Sequence, residues 1–183
     1  MSAGISAWGT YLPYWRLQRS AIAGVLGSGG GKGTRTVASH DEDTTTLAVE
    51  AGRRALAVAP SAGSVQDLFL STPDPGYIDK TSATTVHAAL GLGRACGAYD
   101  FAGSSRSATA TLLQAMAGTV GGAGGAGRTT MAVVADLRTG LAGSPEERDS
   151  GDGAAAFVCA PEGAVAELVG RGAAANASRA KGT

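Results

Sequence analysis

Between Cys96 and Ala117 the chain passes from an apolar run, through a cluster of small residues, into a helical repeat. Cys96 to Phe101 is apolar and aromatic apart from Asp100, and glycines flank it. A run of this kind is expected to form a core strand. Gly103-Ser104-Ser105 leaves room for a tight turn and offers hydroxyls to a helix N-terminus. Ala108, Leu112, Ala115 and Met116 then recur at helical spacing. Strand, turn and helix together lift one side chain to a place where backbone N–H groups favour developing negative charge. Ser105 is the candidate nucleophile position. The same residues fit a plainer role, with Ser105 as a helix cap on an ordinary strand-turn-helix unit.

The rest of the composition narrows the field. The chain of 183 residues is long enough for one domain with a real core. Fifteen Lys and Arg balance fifteen Asp and Glu, and no basic run occurs, so nucleic acid is not an expected partner. Glycine is abundant at 29 and aromatics are sparse at 5%, which favours closely packed backbones over large core side chains. Cys96 and Cys159 lie inside apolar runs and read as small core residues. With two His and two Cys widely scattered, no metal-ligand spacing is present. No signal pattern and no apolar run of ~18 residues appears, so a soluble cytoplasmic protein without membrane association is expected.

Read in order, Gly4 to Pro13 is an expected strand and Arg16 to Leu26 a short helix. Gly27 to Gly33 is a glycine loop. Its Gly31-Lys32 does not make a P-loop, because Leu26 and Gly33 stand where glycine and Ser or Thr are required. Asp43 caps an expected helix to about Ala59, with Leu47, Ala51, Ala55 and Val58 on one face. Gln66 to Ser71 is a second strand, Thr72 to Lys80 a loop, and Ser82 opens a helix to about Leu92. Gly122, Gly124 and Gly127 match a dinucleotide fingerprint, but in reversed context, after a helix and before a strand. Thr129 to Leu137 is a strongly apolar strand and Arg138 to Ser150 a polar loop. Gly151-Asp152-Gly153-Ala154 leads into another strand, and Ala164 to Gly170 reads as one more. The expectation is a single α/β domain over 1–175 with a mixed sheet and helices on both faces, followed by a tail over 176–183.

Several of these segments carry a resemblance. Asp100, the small-residue turn and the helix after it resemble the nucleophile turn of the thiolase superfamily, in its hydroxymethylglutaryl-CoA synthase and type III beta-ketoacyl synthase branch. Gly151-Asp152-Gly153-Ala154 resembles the segment that packs near that turn, and Ile78-Asp79-Lys80 resembles the stretch after the catalytic glutamate loop. The resemblance implies the N-terminal half of a thiolase-like fold, with the nucleophile-turn helix buried between two halves. The family's catalytic cysteine falls at Ser105. Its general-acid glutamate falls at Pro75, with Asp74 adjacent; Asp74 is a candidate acid or simply a turn aspartate. Lys32 and Arg35 are candidates for a CoA phosphate or for a solvated loop.

The resemblance further implies acyl transfer from acyl-CoA or an acyl-carrier thioester, followed by carbon–carbon bond formation, with acyl-CoA as substrate and no tightly bound cofactor. A serine is far less acidic than a cysteine, and a helix N-terminus contributes only about 0.3–1 kcal/mol, so Ser105 needs a base to act as a nucleophile. The family's base comes from the second half. Two readings stay open: half of an acyl-CoA-handling enzyme completed by a complementary half, or a non-catalytic or cysteine-independent component of an acyl-CoA complex. Ala108, Ala110, Leu112, Leu113, Ala115, Met116 and Ala117 make the helix apolar nearly all round. That predicts a homo-oligomer or a hetero-complex with a C-terminal half or complete thiolase, and by analogy with a zinc-ribbon/OB-fold protein.

Overall fold

A computed structural model describes residues 3–27, 31–60, 65–77, 79–121 and 125–173. The frame is a six-stranded mixed sheet built from β1 (Gly4–Tyr11), β4 (Asp67–Thr72), β5 (Gly97–Ala102), β6 (Thr130–Asp136), β7 (Gly153–Ala160) and β8 (Ala166–Glu167), in the order β5-β4-β6-β7-β1-β8. β5, β4 and β6 run parallel, while β7 pairs antiparallel with both β6 and β1. The parallel strands are linked through helices, α3 (Ser82–Ala89) between β4 and β5 and α4 (Ser107–Gly118) between β5 and β6, as parallel pairing requires.

On one face, α2 (Thr44–Val58) and α3 (Ser82–Ala89) cover a dry core of Leu47, Ala51, Leu68, Leu70, Met131, Val133 and Val158. Asp43 starts α2 with a capping box: its carboxylate accepts the Thr46 N–H while the Thr46 hydroxyl accepts the Asp43 N–H. Of the expected apolar face, Leu47, Ala51 and Ala55 are buried, but Val58 is 65% exposed where the helix runs out past the sheet. α2 lies so close to β1 that a Cβ on Gly9 would sit 2.3 Å from the Ala55 nitrogen. Small residues at this crossing let the two backbones meet.

On the other face lies α4 (Ser107–Gly118), which buries Thr111, Ala115 and Met116 against Phe69, Ala132 and Cys159. The chain covers only this side of the helix; Ala110, Ala117 and Val120 face outward. Beyond α4 the same sheet face continues through Ile5, Trp8, Phe157 and Val165, with Trp8 57% exposed.

Three expectations are corrected. The expected helix over 16–26 begins as a strand: β2 (Trp15–Gln18) pairs antiparallel with β3 (Thr34–Val37), and only α1 (Arg19–Leu26) is helical. β5 is not a core strand but the sheet edge, with Tyr99 49% exposed and stacked on Phe69 at 5.4 Å. The strand expected over 164–170 shrinks to the two residues of β8. The polar loop after β6 also contains a short helix, α5 (Pro145–Asp149), capped by Ser144. Ile78, Gly122, Gly124 and the expected tail at 176–183 lie outside the described residues. Among those described, no helix is long and apolar enough to cross a membrane.

Candidate functional site

The site forms where β4, β5 and β6 end and β7 begins, beside the start of α4. Asp100 on β5 accepts the Ser82 and Ala83 N–H groups at 2.7 Å, so it caps α3 from another element and fixes the strand that leads into the turn. Gly103 then turns with φ of 94°, a conformation that favours glycine. Ser104 accepts the Arg106 N–H, and Ser105 is delivered one residue before the helix cap, its side chain exposed.

Ser105 lines a cavity of about 470 Å³ with Leu12, Ser71, Pro73, Val134, Asp136 and Ala154 among its walls. Most of the lining is apolar, with Asp136 the charged group. Arg138, just past β6, joins the two polar residues. Its Nε donates to Asp136 Oδ2 at 2.6 Å and its Nη2 donates to Ser105 Oγ at 3.0 Å. Asp136 Oδ1 is buried and has no hydrogen-bond partner. Burial raises the Asp136 pKa above the ordinary carboxylate value, and the charges of Asp152 and Asp74 add to it against the opposing pull of Arg138.

Beneath this trio lies a second layer. Asp152 accepts the Arg138 N–H and the Ala38 N–H, each at 2.8 Å, and sits 3.5 Å from the Arg35 guanidinium. Arg35 and Asp152 are 7% and 4% exposed, and Arg35 donates in turn to the carbonyls of Glu147 and Arg138. The Gly151-Asp152-Gly153 segment therefore pins the backbone that carries Arg138, and Arg138 in turn holds Ser105. A carboxylate so placed between a guanidinium and two N–H donors organises three loops at once.

No family model matches the chain. Its curated relatives include the hydroxymethylglutaryl-CoA synthases of Methanocella arvoryzae, 34% identical over 165 residues, and of Methanopyrus kandleri, 34% identical over 175 residues. Those alignments take in 86% and 91% of this chain but 47% and 49% of the synthases. Among solved structures, a 3-oxoacyl-(acyl-carrier-protein) synthase III superposes with a TM-score of 0.77 at 26% identity, covering 93% of this chain and 53% of its own.

By sequence the chain is hydroxymethylglutaryl-CoA synthase-like, and by fold it is thiolase-like.

It spans about half the length of the curated relatives it matches. The hydroxymethylglutaryl synthase of the curacin pathway, in complex with acetyl donor-ACP, shares the fold with a TM-score of 0.74 at 22% identity. Within this thiolase-like fold the remaining candidates separate. Asp74 lies in the loop after β4, exposed, with its N–H donated to Thr72 and its carbonyl held by the Thr44 hydroxyl. Its charge reaches Asp136. Lys32 is exposed, whereas Arg35 is turned inward onto Asp152, so the two do not form one cationic patch.

Neither cysteine substitutes for the missing thiol. Cys159 is buried in β7, and burial pushes its thiol up to about 12. Burial, then the Asp67 charge, also raises Cys96. Among the described residues no cluster of metal-ligating side chains occurs. The sequence reading missed Asp136 and Arg138. Their signal was a carboxylate ending a strongly apolar strand with an arginine two residues on.

Proposed function

We propose that this chain is one half of an acyl-CoA-handling, hydroxymethylglutaryl-CoA synthase-like condensing enzyme, acting with a complementary half in the same or another polypeptide. The observation that carries this is the delivery of Ser105 by strand, turn and helix into an apolar cavity, in a chain that matches such synthases over about half their length. An apolar cavity with a few converging polar groups suits a short acyl chain whose carbonyl needs orienting. Ser105 stands at the family's nucleophile position, and the substrate is an acyl thioester on CoA or on an acyl carrier. Asp74 is placed to influence acid–base chemistry through its charge, and Lys32 to meet an anionic group at the surface.

Among the described residues no base is hydrogen-bonded to the Ser105 hydroxyl, which accepts from a cationic donor, Arg138. A serine oxygen that accepts from a guanidinium is not activated for attack. The chain alone is therefore expected to form no acyl-enzyme when mixed with acetyl-CoA, as read by intact mass. Saturation-transfer NMR with acetyl-CoA tests the reading itself. Transfer to the acetyl methyl, from the chain alone or co-expressed with the second half of the Methanocella arvoryzae synthase, supports it; transfer in neither case overturns it.

A further inference from the structure

Asp136, Arg138 and Ser105 form a chain of three groups that ends in a buried, unsatisfied atom. Arg138 donates from Nε to Asp136 Oδ2 at 2.6 Å and from Nη2 to Ser105 Oγ at 3.0 Å. Asp136 Oδ1 is buried and, among the described residues, has no hydrogen-bond partner. Asp136 is the last residue of β6, while Ser105 belongs to the turn before α4. The guanidinium is thus a side-chain tie between a strand end and a turn. Within the turn the bonds are local. Ser104 accepts the Arg106 N–H at its hydroxyl and the Ser107 N–H at its carbonyl, and Gly103 carries a φ of 94°.

We propose that this chain of groups is a proton-released latch: with Asp136 ionised, Arg138 holds the Ser105 turn closed, and when Asp136 takes a proton from solvent the turn is freed. A hydrogen bond between a cation and a carboxylate is stronger than one to a neutral acid, so protonation weakens the anchor of Arg138. Neutralisation also removes the cost of keeping a half-satisfied carboxylate away from water. Arg138 is 29% exposed, so its released guanidinium has water within reach. Its backbone stays in place, because Asp152 accepts the Arg138 N–H and Arg35 donates to the Arg138 carbonyl, each at 2.8 Å. The moving part is one side chain on a fixed loop, and the element it biases is the turn.

The surroundings of Asp136 favour release. Burial is the first cause that raises its pKa. Arg138 opposes it, while the charges of Asp152, just before β7, and Asp74, in the loop after β4, add to it. Arg35, on β3, stands 3.5 Å from Asp152 and offsets part of that charge. From the α4 side the Ser105 hydroxyl shares the cavity wall with Asp136 and brings no charge. A carboxylate paired with a guanidinium is ordinarily held below the usual value; one that stays above it gives up its pairing early as pH falls. The closed state is therefore present above the Asp136 midpoint and lost as pH drops through it. Closed, Ser105 Oγ accepts from a cation; open, it is free to meet a base. That consequence for chemistry rests on the acyl-handling reading, whereas the latch itself operates without a ligand.

Hydrogen-exchange mass spectrometry on the full chain tests the latch, with rates corrected for the intrinsic pH dependence of exchange. A peptide over 103–110 contains the Ser107 N–H, and a peptide over 44–58 in α2 reports the folded state. Protection over 103–110 is expected to fall roughly tenfold, the scale of one lost charge-assisted hydrogen bond, between about pH 7 and 4 while α2 stays protected. Asp136→Asn is expected to show the open rate already at pH 7. Ser105→Ala, which leaves the Asp136–Arg138 pair in place, is expected to show it at every pH. If Asp136→Asn does not fold, Ser105→Ala decides. The latch is overturned by turn protection that ignores pH, by a pH step that survives in Ser105→Ala, by a closed turn in folded Asp136→Asn, or by α2 losing protection over the same step. Saturation-transfer NMR with acetyl-CoA on the same samples keeps the two readings apart. Binding beside a turn that ignores pH overturns the latch alone, and a working latch without binding overturns the acyl-handling reading alone.

Discussion

The two faces of the sheet are made from similar residues and end up in different states. On the α2 side, Leu47, Ala48, Ala51 and Ala55 are fully buried against Leu68, Leu70, Met131 and Val133. On the α4 side the buried set is short, Phe69, Ala115, Met116, Ala132 and Cys159, and the rest of the face stays open. Alternation along β4 and β6 sends Leu68 and Leu70 one way and Phe69 the other. The difference teaches that the closed face sets the fold's stability while the open face lies beside the candidate site and leaves apolar surface uncovered.

The largest effect should come from association. Apolar burial is worth roughly 25 cal/mol per Å², so an open helix-and-sheet face of several hundred Å² left wet forfeits several kcal/mol. Light scattering at micromolar concentration should show an oligomer or a species that binds an apolar dye. A monodisperse monomer without dye binding would erase the distinction between the faces.

Next comes the closed face. Leu70→Ala should cost about 2–5 kcal/mol in denaturant unfolding, as a fully buried leucine. Gly9→Ala should cost about 1–3 kcal/mol or more, because the new Cβ meets the α2 backbone. Leu113→Ala on the open side of α4 should cost less than about 1 kcal/mol while weakening association. Equal losses at Leu70 and Leu113 would show that the faces are energetically alike. Asp43→Ala should cost about 1 kcal/mol through loss of the α2 capping box.

A pH dependence from the thin core, confined to alkaline solution, tests the same contrast. The Cys159 thiol is raised from an ordinary 9.0 to about 12. A raised folded value means stability that is fully present below the unfolded pKa and lost as pH rises through the folded one. Unfolding free energy should therefore fall between pH 9 and 12 by up to about 1.4 kcal/mol per unit from this group, and Cys159→Ala should remove that part of the slope. An unchanged slope would mean that the α4-side core admits water.

Much of the closed face was legible. Asp43 as a cap and a helical apolar repeat identified α2, and the apolar runs expected at 66–71 and 129–137 identified two strands within a residue of their bounds at 67–72 and 130–136. The β2–β3 pair escaped because its strands are only four residues long, are separated by α1, and β2 is exposed throughout. β5 was read as central because an aromatic run looks the same at a sheet edge; its burial depends on neighbours the sequence does not order. At the site, the turn that presents Ser105 was legible from its small residues. The Arg35, Arg138 and Asp152 cluster was not, since its members come from β3 and two loops more than a hundred residues apart at the extremes, brought together only by the fold. Arg35 read as a surface cation for the same reason.

The central claim is that position 105 is held at a cationic, cavity-facing nucleophile position. The most direct measurement is the iodoacetamide alkylation rate of Ser105→Cys against pH, with peptide mapping. Cys96 and Cys159, both raised by burial, should stay unmodified at pH 7–8 in the folded chain. The account predicts fast, site-specific alkylation at 105 with a midpoint clearly below the ordinary thiol value of about 8.5, moving back up when Arg138→Gln is added. A midpoint at or above about 8.5, unmoved by Arg138→Gln, would contradict it.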